Sequence, residues 1–146
     1  MNESEQNYAV ASMWLDILMK SSTADDVERY HQIANLTPVD INIIMMTGNT
    51  KDMLLREFLD VLKIPKSTFT SYIDRLDKKG YIERVINPRD KRSFGLKLTP
   101  NGEQLMKLYM AYQAEMGSKI LKGLNKDEQH QLIYLLEKII ACVMPK

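Results

Sequence analysis

Leu62-Lys63-Ile64-Pro65-Lys66-Ser67-Thr68-Phe69-Thr70-Ser71-Tyr72-Ile73-Asp74-Arg75-Leu76-Asp77-Lys78-Lys79-Gly80-Tyr81-Ile82 is the stretch on which the fold turns. Wound at about 100° per residue, Lys66 to Lys79 groups Phe69, Tyr72, Ile73 and Leu76 on one side. Ser67, Thr70, Ser71, Asp74 and Lys78 fall opposite, with Thr68 and Arg75 on a flank. Gly80 supplies the C-terminal stop. Immediately upstream, Lys51 to Leu62 places Leu54, Leu55, Phe58, Leu59 and Leu62 on one face, and Lys63-Ile64-Pro65 breaks the chain between the two segments. Two short amphipathic helices joined by a tight turn are the outline of a helix-turn-helix.

After Gly80 the period changes. Tyr81 to Ile86 alternates weakly, Asn87-Pro88-Arg89-Asp90 reads as a turn, and Phe94 to Leu98 alternates again, which predicts a β-hairpin with a charged tip. Thr99-Pro100 then opens a helix whose apolar stripe is Leu105, Leu108, Tyr109, Tyr112, Met116 and Ile120. Asn125 and Glu128 form a capping-box variant ahead of a last helix carrying Leu132, Leu135, Leu136, Ile139, Ile140 and Val143. On the N-terminal side, Val10, Met13, Trp14, Ile17 and Leu18 predict an amphipathic helix over 8–20, with helical character resuming over 25–34. Thr37-Pro38 starts the next helix, whose buried face is Ile41, Ile44 and Met45 and whose end is Gly48-Asn49. The expected fold is mainly α with one small β-hairpin, divided into a helical region 1–36, a helix-turn-helix with hairpin 37–99, and helices over 100–146.

The chain's 146 residues, 45% of them hydrophobic and 27% charged, suit one small domain with helical extensions. Neither a membrane-spanning run nor a basic-then-apolar leader occurs, so the expected address is the cytoplasm. The single Cys142 forms no internal disulfide and is expected to be a buried structural thiol. His31 and His130 stand alone, with no second ligand at metal-binding spacing. No glycine-rich phosphate loop or nucleophile motif points to catalysis. Net charge is only +1, but between Lys63 and Lys97 ten basic residues face four acidic ones. That local excess of six marks one basic segment in an otherwise balanced chain.

Two motifs together resemble the MarR family of winged helix-turn-helix transcriptional regulators. One is the opening stretch, similar to that family's turn, recognition helix and first wing strand. The other is Asn87-Pro88-Arg89-Asp90-Lys91-Arg92-Ser93 followed by Leu98-Thr99-Pro100-Asn101-Gly102, similar to its wing pattern Asp-Pro-x-Asp-x-Arg and Leu-Thr-x-x-Gly. The chain departs from the pattern at four positions. Lys63 stands at a turn position often glycine, Pro65 replaces the capping serine, Asn87 replaces the first wing Asp, and Ser71 replaces a common recognition-helix arginine.

The resemblance implies a homodimer binding double-stranded DNA at a pseudo-palindromic operator, most commonly as a repressor. On the recognition helix, Lys66, Ser67, Thr68, Thr70, Ser71, Arg75 and Lys78 are the candidate contacts, the short hydroxyls allowing close approach to base edges and phosphates. On the wing the candidates are Arg84, Arg89, Asp90, Lys91 and Arg92. Arg92 at the tip is suited to the minor groove, and Asp90 is expected to hold Arg92 or Arg84 in place. Lys66, Arg75, Lys78 and Arg84 would meet phosphate. Trp14, Ile17, Tyr109, Tyr112, Leu136, Ile139, Ile140 and Val143 would pack across a two-fold axis, with an intramolecular core as the competing reading of each. No cofactor is implied. A small aromatic effector is, with Trp14, Tyr30, Tyr109 and Tyr112 as pocket candidates and core packing as their alternative. The alternative to DNA binding is a winged-helix module that docks another protein; the basic wing argues for DNA.

Overall fold

A computed structural model describes residues 1–143, so the last three positions of the expected 100–146 segment lie outside the described residues. The elements run α1 (Glu3–Lys20), α2 (Ala24–Arg29), α3 (His31–Ala34), α4 (Pro38–Asn49), α5 (Leu55–Leu62), α6 (Lys66–Lys78), β1 (Ile82–Ile86), β2 (Phe94–Leu98), α7 (Pro100–Leu121) and α8 (Lys126–Val143). The architecture is the expected one, helical with a single antiparallel hairpin.

Local chemistry explains where the elements begin. Asn2 accepts from the Glu5 N–H while the Glu5 carboxylate accepts from the Asn2 N–H, so α1 starts five residues before the apolar stripe suggested. Thr37 and Asp40 cap α4 in the same reciprocal way, with Pro38 in the first turn. α5 begins at Leu55 and not at Lys51, because Asp52 takes a positive φ of 56° that no helix accommodates. A break at Tyr30 (φ −108°, ψ 22°) divides the segment expected as one helix over 25–34 into α2 and α3.

The chain divides into two compact units. One comprises residues 23–112, wider than the expected 37–99 because α2, α3 and the first part of α7 belong to it. Its core is Ile43 and Ile44 of α4, Phe58 of α5, Phe69, Ile73 and Leu76 of α6, Ile82 and Leu98 of the hairpin, and Leu105 of α7. Phe58 and Phe69 meet with ring centroids 5.4 Å apart, joining the two helices of the helix-turn-helix within the core. In the hairpin, Ile82 pairs with Leu98 and Ile86 with Phe94.

Gly80 (φ 79°) ends α6 in the left-handed conformation, and the Tyr81 N–H returns to the Leu76 carbonyl at 3.1 Å. Lys63 adopts the same conformation between α5 and α6 (φ 53°, ψ 38°), donating its N–H to the Leu59 carbonyl at 2.9 Å. A side chain there costs about 1–2 kcal/mol, partly offset by the lower unfolded-state entropy of a non-glycine residue. Lys63→Gly is therefore expected to raise stability by about 0.5–1 kcal/mol, read as a higher urea midpoint at unchanged slope.

The second unit comprises residues 1–22 and the chain from Gln113 onward. It is amphipathic without a buried apolar residue in α1 or α8. Trp14, Ile139 and Ile140 are more than half exposed, and Val143 is 72% exposed. Ile17 is also exposed and Leu136 is half-buried. Cys142 is exposed as well, which corrects the expectation of a buried thiol: among the described residues, none of α8 is buried.

Candidate nucleic-acid interface

α6 buries Phe69, Ile73 and Leu76 and turns Lys66, Ser67, Thr68, Ser71, Asp74 and Lys78 to solvent, with Thr70 half-buried. The Thr70 hydroxyl donates to the Lys66 carbonyl at 3.0 Å and the Ser71 hydroxyl to the Ser67 carbonyl at 3.1 Å. Their donor hydrogens are thus taken up by their own helix, which leaves each hydroxyl oxygen with acceptor capacity only. Pro65 occupies the cap position without a side-chain bond to the first turn, so the helix's leading N–H groups remain open toward solvent. Lys66 and Lys78 make no ion pair among the described residues.

The arginines are arranged differently from the sequence expectation. Arg75 donates to the buried carboxylate of Asp40 at 2.6 Å, while its guanidinium lies 4.7 Å over the Tyr72 ring. Asp40 thereby serves α4 as its cap and α6 as an anchor, and its carboxylate raises Arg75 further above its ordinary pKa. Arg84 bridges Asp74 and Asp77 of α6, the latter at 3.1 Å, and lies over Phe94. It is not the partner of Asp90. Arg89 makes a bidentate pair with Glu57 of α5, both distances 2.9 Å, and also donates to the Asp52 carbonyl. Arg75, Arg84 and Arg89, expected to face DNA, are thus held by carboxylates of their own unit, because each lies within reach of an acid that sequence separation conceals.

The hairpin tip is what stays open. Asp90 accepts from the Arg92 backbone N–H at 3.1 Å and from Arg92 Nε at 3.2 Å, leaving the arginine side chain 93% exposed. Of the two partners offered for Asp90, Arg92 is the one it takes. The Arg92 contacts hold Asp90 below the ordinary carboxylate range. Lys91 beside it is exposed.

The sequence reading missed the residues that connect these parts. Glu57 accepts from the Leu54 N–H at 2.8 Å as the cap of α5 and simultaneously holds Arg89. The Arg89 bonds hold the Glu57 carboxyl below its ordinary 4.5, so the pair is fully formed at neutrality and is lost as pH falls through that lowered value. Asn87 is fully buried: its amide donates to the Met53 carbonyl at 3.0 Å and the Asp52 carbonyl at 3.4 Å, and its oxygen accepts from the Arg89 N–H. Arg56, exposed on α5, lies near enough to lower both Glu57 and Asp90. It fell outside the basic segment counted in the sequence.

Tyr109 and Tyr112, expected across a dimer axis, belong to the 23–112 unit. Tyr112 packs edge-on against buried Tyr30 with centroids 5.1 Å apart, and Tyr109 stacks on Tyr112. A cavity of about 470 Å³ lies elsewhere in this unit, between the end of α4, the hairpin and α7, its apolar lining from Val85, Leu96, Leu98, Met106 and Met110 bordered by charged residues such as Lys51 and Glu103. No cluster of three or more metal-ligating side chains occurs among the described residues, and no helix among them is long and apolar enough to cross a membrane.

A model of the MarR family matches residues 34–93. The chain is 38% identical over 85 residues to the multiple antibiotic resistance protein MarR of Salmonella typhimurium, a match spanning 58% of this chain and 59% of that protein. It is 30% identical over 96 residues to the HTH-type transcriptional regulator BilQ of Clostridium symbiosum, covering 66% of this chain and 67% of that one. Its fold is similar to that of Streptococcus pneumoniae FabT, solved in complex with DNA, with a TM-score of 0.75 at 20% identity over 97% of both chains. With the helix-turn-helix, the wing and these matches in agreement, the chain belongs to the MarR family of winged helix-turn-helix proteins.

Proposed function

We propose that this chain is a transcriptional regulator, a ligand-responsive repressor that binds double-stranded DNA as a homodimer at a pseudo-palindromic operator and catalyses no reaction. The observation that carries the reading is Arg92. An arginine held by Asp90 at a hairpin tip, with its side chain 93% exposed, is placed to enter a minor groove, where negative potential is concentrated. α6, in the same unit, offers exposed Ser67, Thr68 and Ser71 and half-buried Thr70 for the major groove, and Lys66 and Lys78 for phosphate. Relatives named as transcriptional regulators support the reading. The exposed apolar side chains of α1 and α8, Trp14, Ile17, Ile139, Ile140 and Val143, support association of two copies. The cavity behind the hairpin, apolar with a charged border, has the size of a small-molecule site and supports a non-macromolecular effector. Such a regulator would work in the cytoplasm.

Selection from a random duplex pool, run with wild type and Arg92→Ala, tests this. The expected result is a pseudo-palindrome with half-sites about one helical turn apart. Arg92→Ala should bind it roughly tenfold or more weakly, because a well-placed groove contact is worth about 1–3 kcal/mol. Folded protein that enriches nothing at low salt would overturn the DNA reading in favour of a protein-docking winged helix.

A further inference from the structure

We propose that Glu57, Asn87 and Arg89 form a strut that sets the wing against the helix-turn-helix, so that Arg89 serves DNA binding by positioning Arg92 and not by touching phosphate. The proposal rests on the DNA-binding reading above.

A two-stranded hairpin has little stability of its own, and strand pairing here stops at Ile86 and Phe94. Beyond that point the tip is held within itself by the Ser93 N–H on the Asp90 carbonyl and the Asn87 N–H on the Ser93 carbonyl. These bonds define the tip's shape but not its direction. Direction comes from the root. The Asn87 amide and the Arg89 guanidinium converge on the loop before α5, donating to the carbonyls of Asp52 and Met53. Arg89 then grips Glu57 through two parallel bonds, the geometry in which a guanidinium fixes orientation as well as distance. The loop it grips is itself held in shape, with Asp52 at φ 56° and Glu57 capping the helix that follows. Arg92 lies three residues from Arg89, so any slack at the root is transmitted to the tip.

The electrostatics separate a strut from a phosphate contact. Arg89 is neutralised by Glu57, and both of its terminal nitrogens are engaged within the protein. A paired arginine displaces few counterions, so Arg89 should contribute little to the salt dependence of binding. Glu57 makes the sharper case. Removing a carboxylate beside a DNA-binding face should tighten binding if charge alone matters, whereas loss of a strut should weaken it.

The test uses the full chain with Glu57→Gln, which keeps an oxygen for the Leu54 N–H but loses the charged bidentate pair, and with Arg89→Ala. On the duplex selected above, both variants are expected to bind roughly five- to tenfold more weakly, in the range of a lost coupling between neighbouring groups. Their salt slopes should match wild type, and Arg92→Ala should add less than about twofold in either background. In the free protein, amide exchange at 87–93 should accelerate in both variants while α6 is unchanged. The proposal is overturned if Glu57→Gln binds as tightly as wild type or more so. It is also overturned if Arg89→Ala lowers the salt slope by about one and multiplies with Arg92→Ala, the signature of a phosphate contact. Unchanged exchange at 87–93 would overturn it even if wild type bound no duplex, an outcome that by itself refutes only the DNA-binding reading.

Discussion

Gly102→Ala is expected to cost about 3 kcal/mol of folding stability, although alanine is favoured over glycine inside a helix by about 1 kcal/mol. The sign reverses because of where α7 begins. A Cβ at Gly102 would stand 2.0 Å from the Tyr81 carbonyl oxygen and 3.0 Å from its carbon. These are backbone atoms and do not yield by changing rotamer. The Tyr81 carbonyl also accepts the Thr99 N–H at 3.1 Å, and the Thr99 hydroxyl donates to the Gly80 carbonyl while accepting the Gly102 N–H. One turn of helix is thus riveted to the residues that stop α6 and open β1. A side chain would pry that joint apart and disturb Leu98 and Leu105 in the core nearby. Denaturant midpoints of Gly102→Ala and of Asn101→Ala, an exposed neighbour, provide the check. The neighbour should stay within about 0.5 kcal/mol of wild type, and a Gly102→Ala chain equally stable would show that α7 is not seated as described.

Asn87→Asp is expected to destabilise the chain by about 2 kcal/mol at neutral pH, despite being nearly isosteric. The buried amide makes use of both its functions, donating to two carbonyls and accepting from the Arg89 N–H. A carboxylate accepts only, so it would confront the Asp52 and Met53 carbonyls with like partial charge in a site closed to water. Arg89 offers limited relief, because Glu57 already holds its two terminal nitrogens. The penalty has a definite pH dependence. Burial beside carbonyls raises the new carboxyl's pKa in the folded state, so between the unfolded and folded values the native form binds more protons. Stability relative to wild type should therefore improve as pH falls from 7 toward about 4. Thermal unfolding of the two proteins across that range measures it; a constant difference would mean the carboxylate has found donors. Asn87 stands where the MarR family's wing pattern has Asp, and the two carbonyls are the physical reason an amide suits this chain.

Much of the architecture was legible because it depends on neighbours in sequence. The spacing of Phe69, Ile73 and Leu76, the stop at Gly80 and the alternation across the turn at 87–90 are short-range signals, and α6, β1 and β2 lie where they point. The tight turn at Lys63 was readable for the same reason. Boundaries went astray at Asn2 and Asp52, where one side chain or one backbone angle, and not the apolar stripe, decides.

The charged residues show the opposite case. Counting basic residues between Lys63 and Lys97 identified a basic segment but not its employment. Arg75 is neutralised by Asp40, thirty-five positions away, and Arg89 by Glu57, thirty-two positions away. Both acids look in sequence like ordinary helix caps, and they are caps: Asp40 keeps one oxygen for Arg75, while Glu57 meets Arg89 with both, one of them shared with the Leu54 N–H. The contact between Tyr30 and Tyr112 is of the same kind, since nothing near either residue in the sequence announces it.

The sequence by itself determined the order and kind of the elements, the helix that presents hydroxyls and the hairpin tip that presents Arg92, since helix periodicity, capping and turn chemistry act over a few residues. Only the tertiary structure decided which carboxylate each arginine meets, Asp40 for Arg75 and Glu57 for Arg89, and that Arg92 at the tip keeps its side chain almost wholly in solvent. An ion pair is set by distance in space, and the folds of α4 and α5 bring Asp40 and Glu57 to arginines that remain remote along the chain.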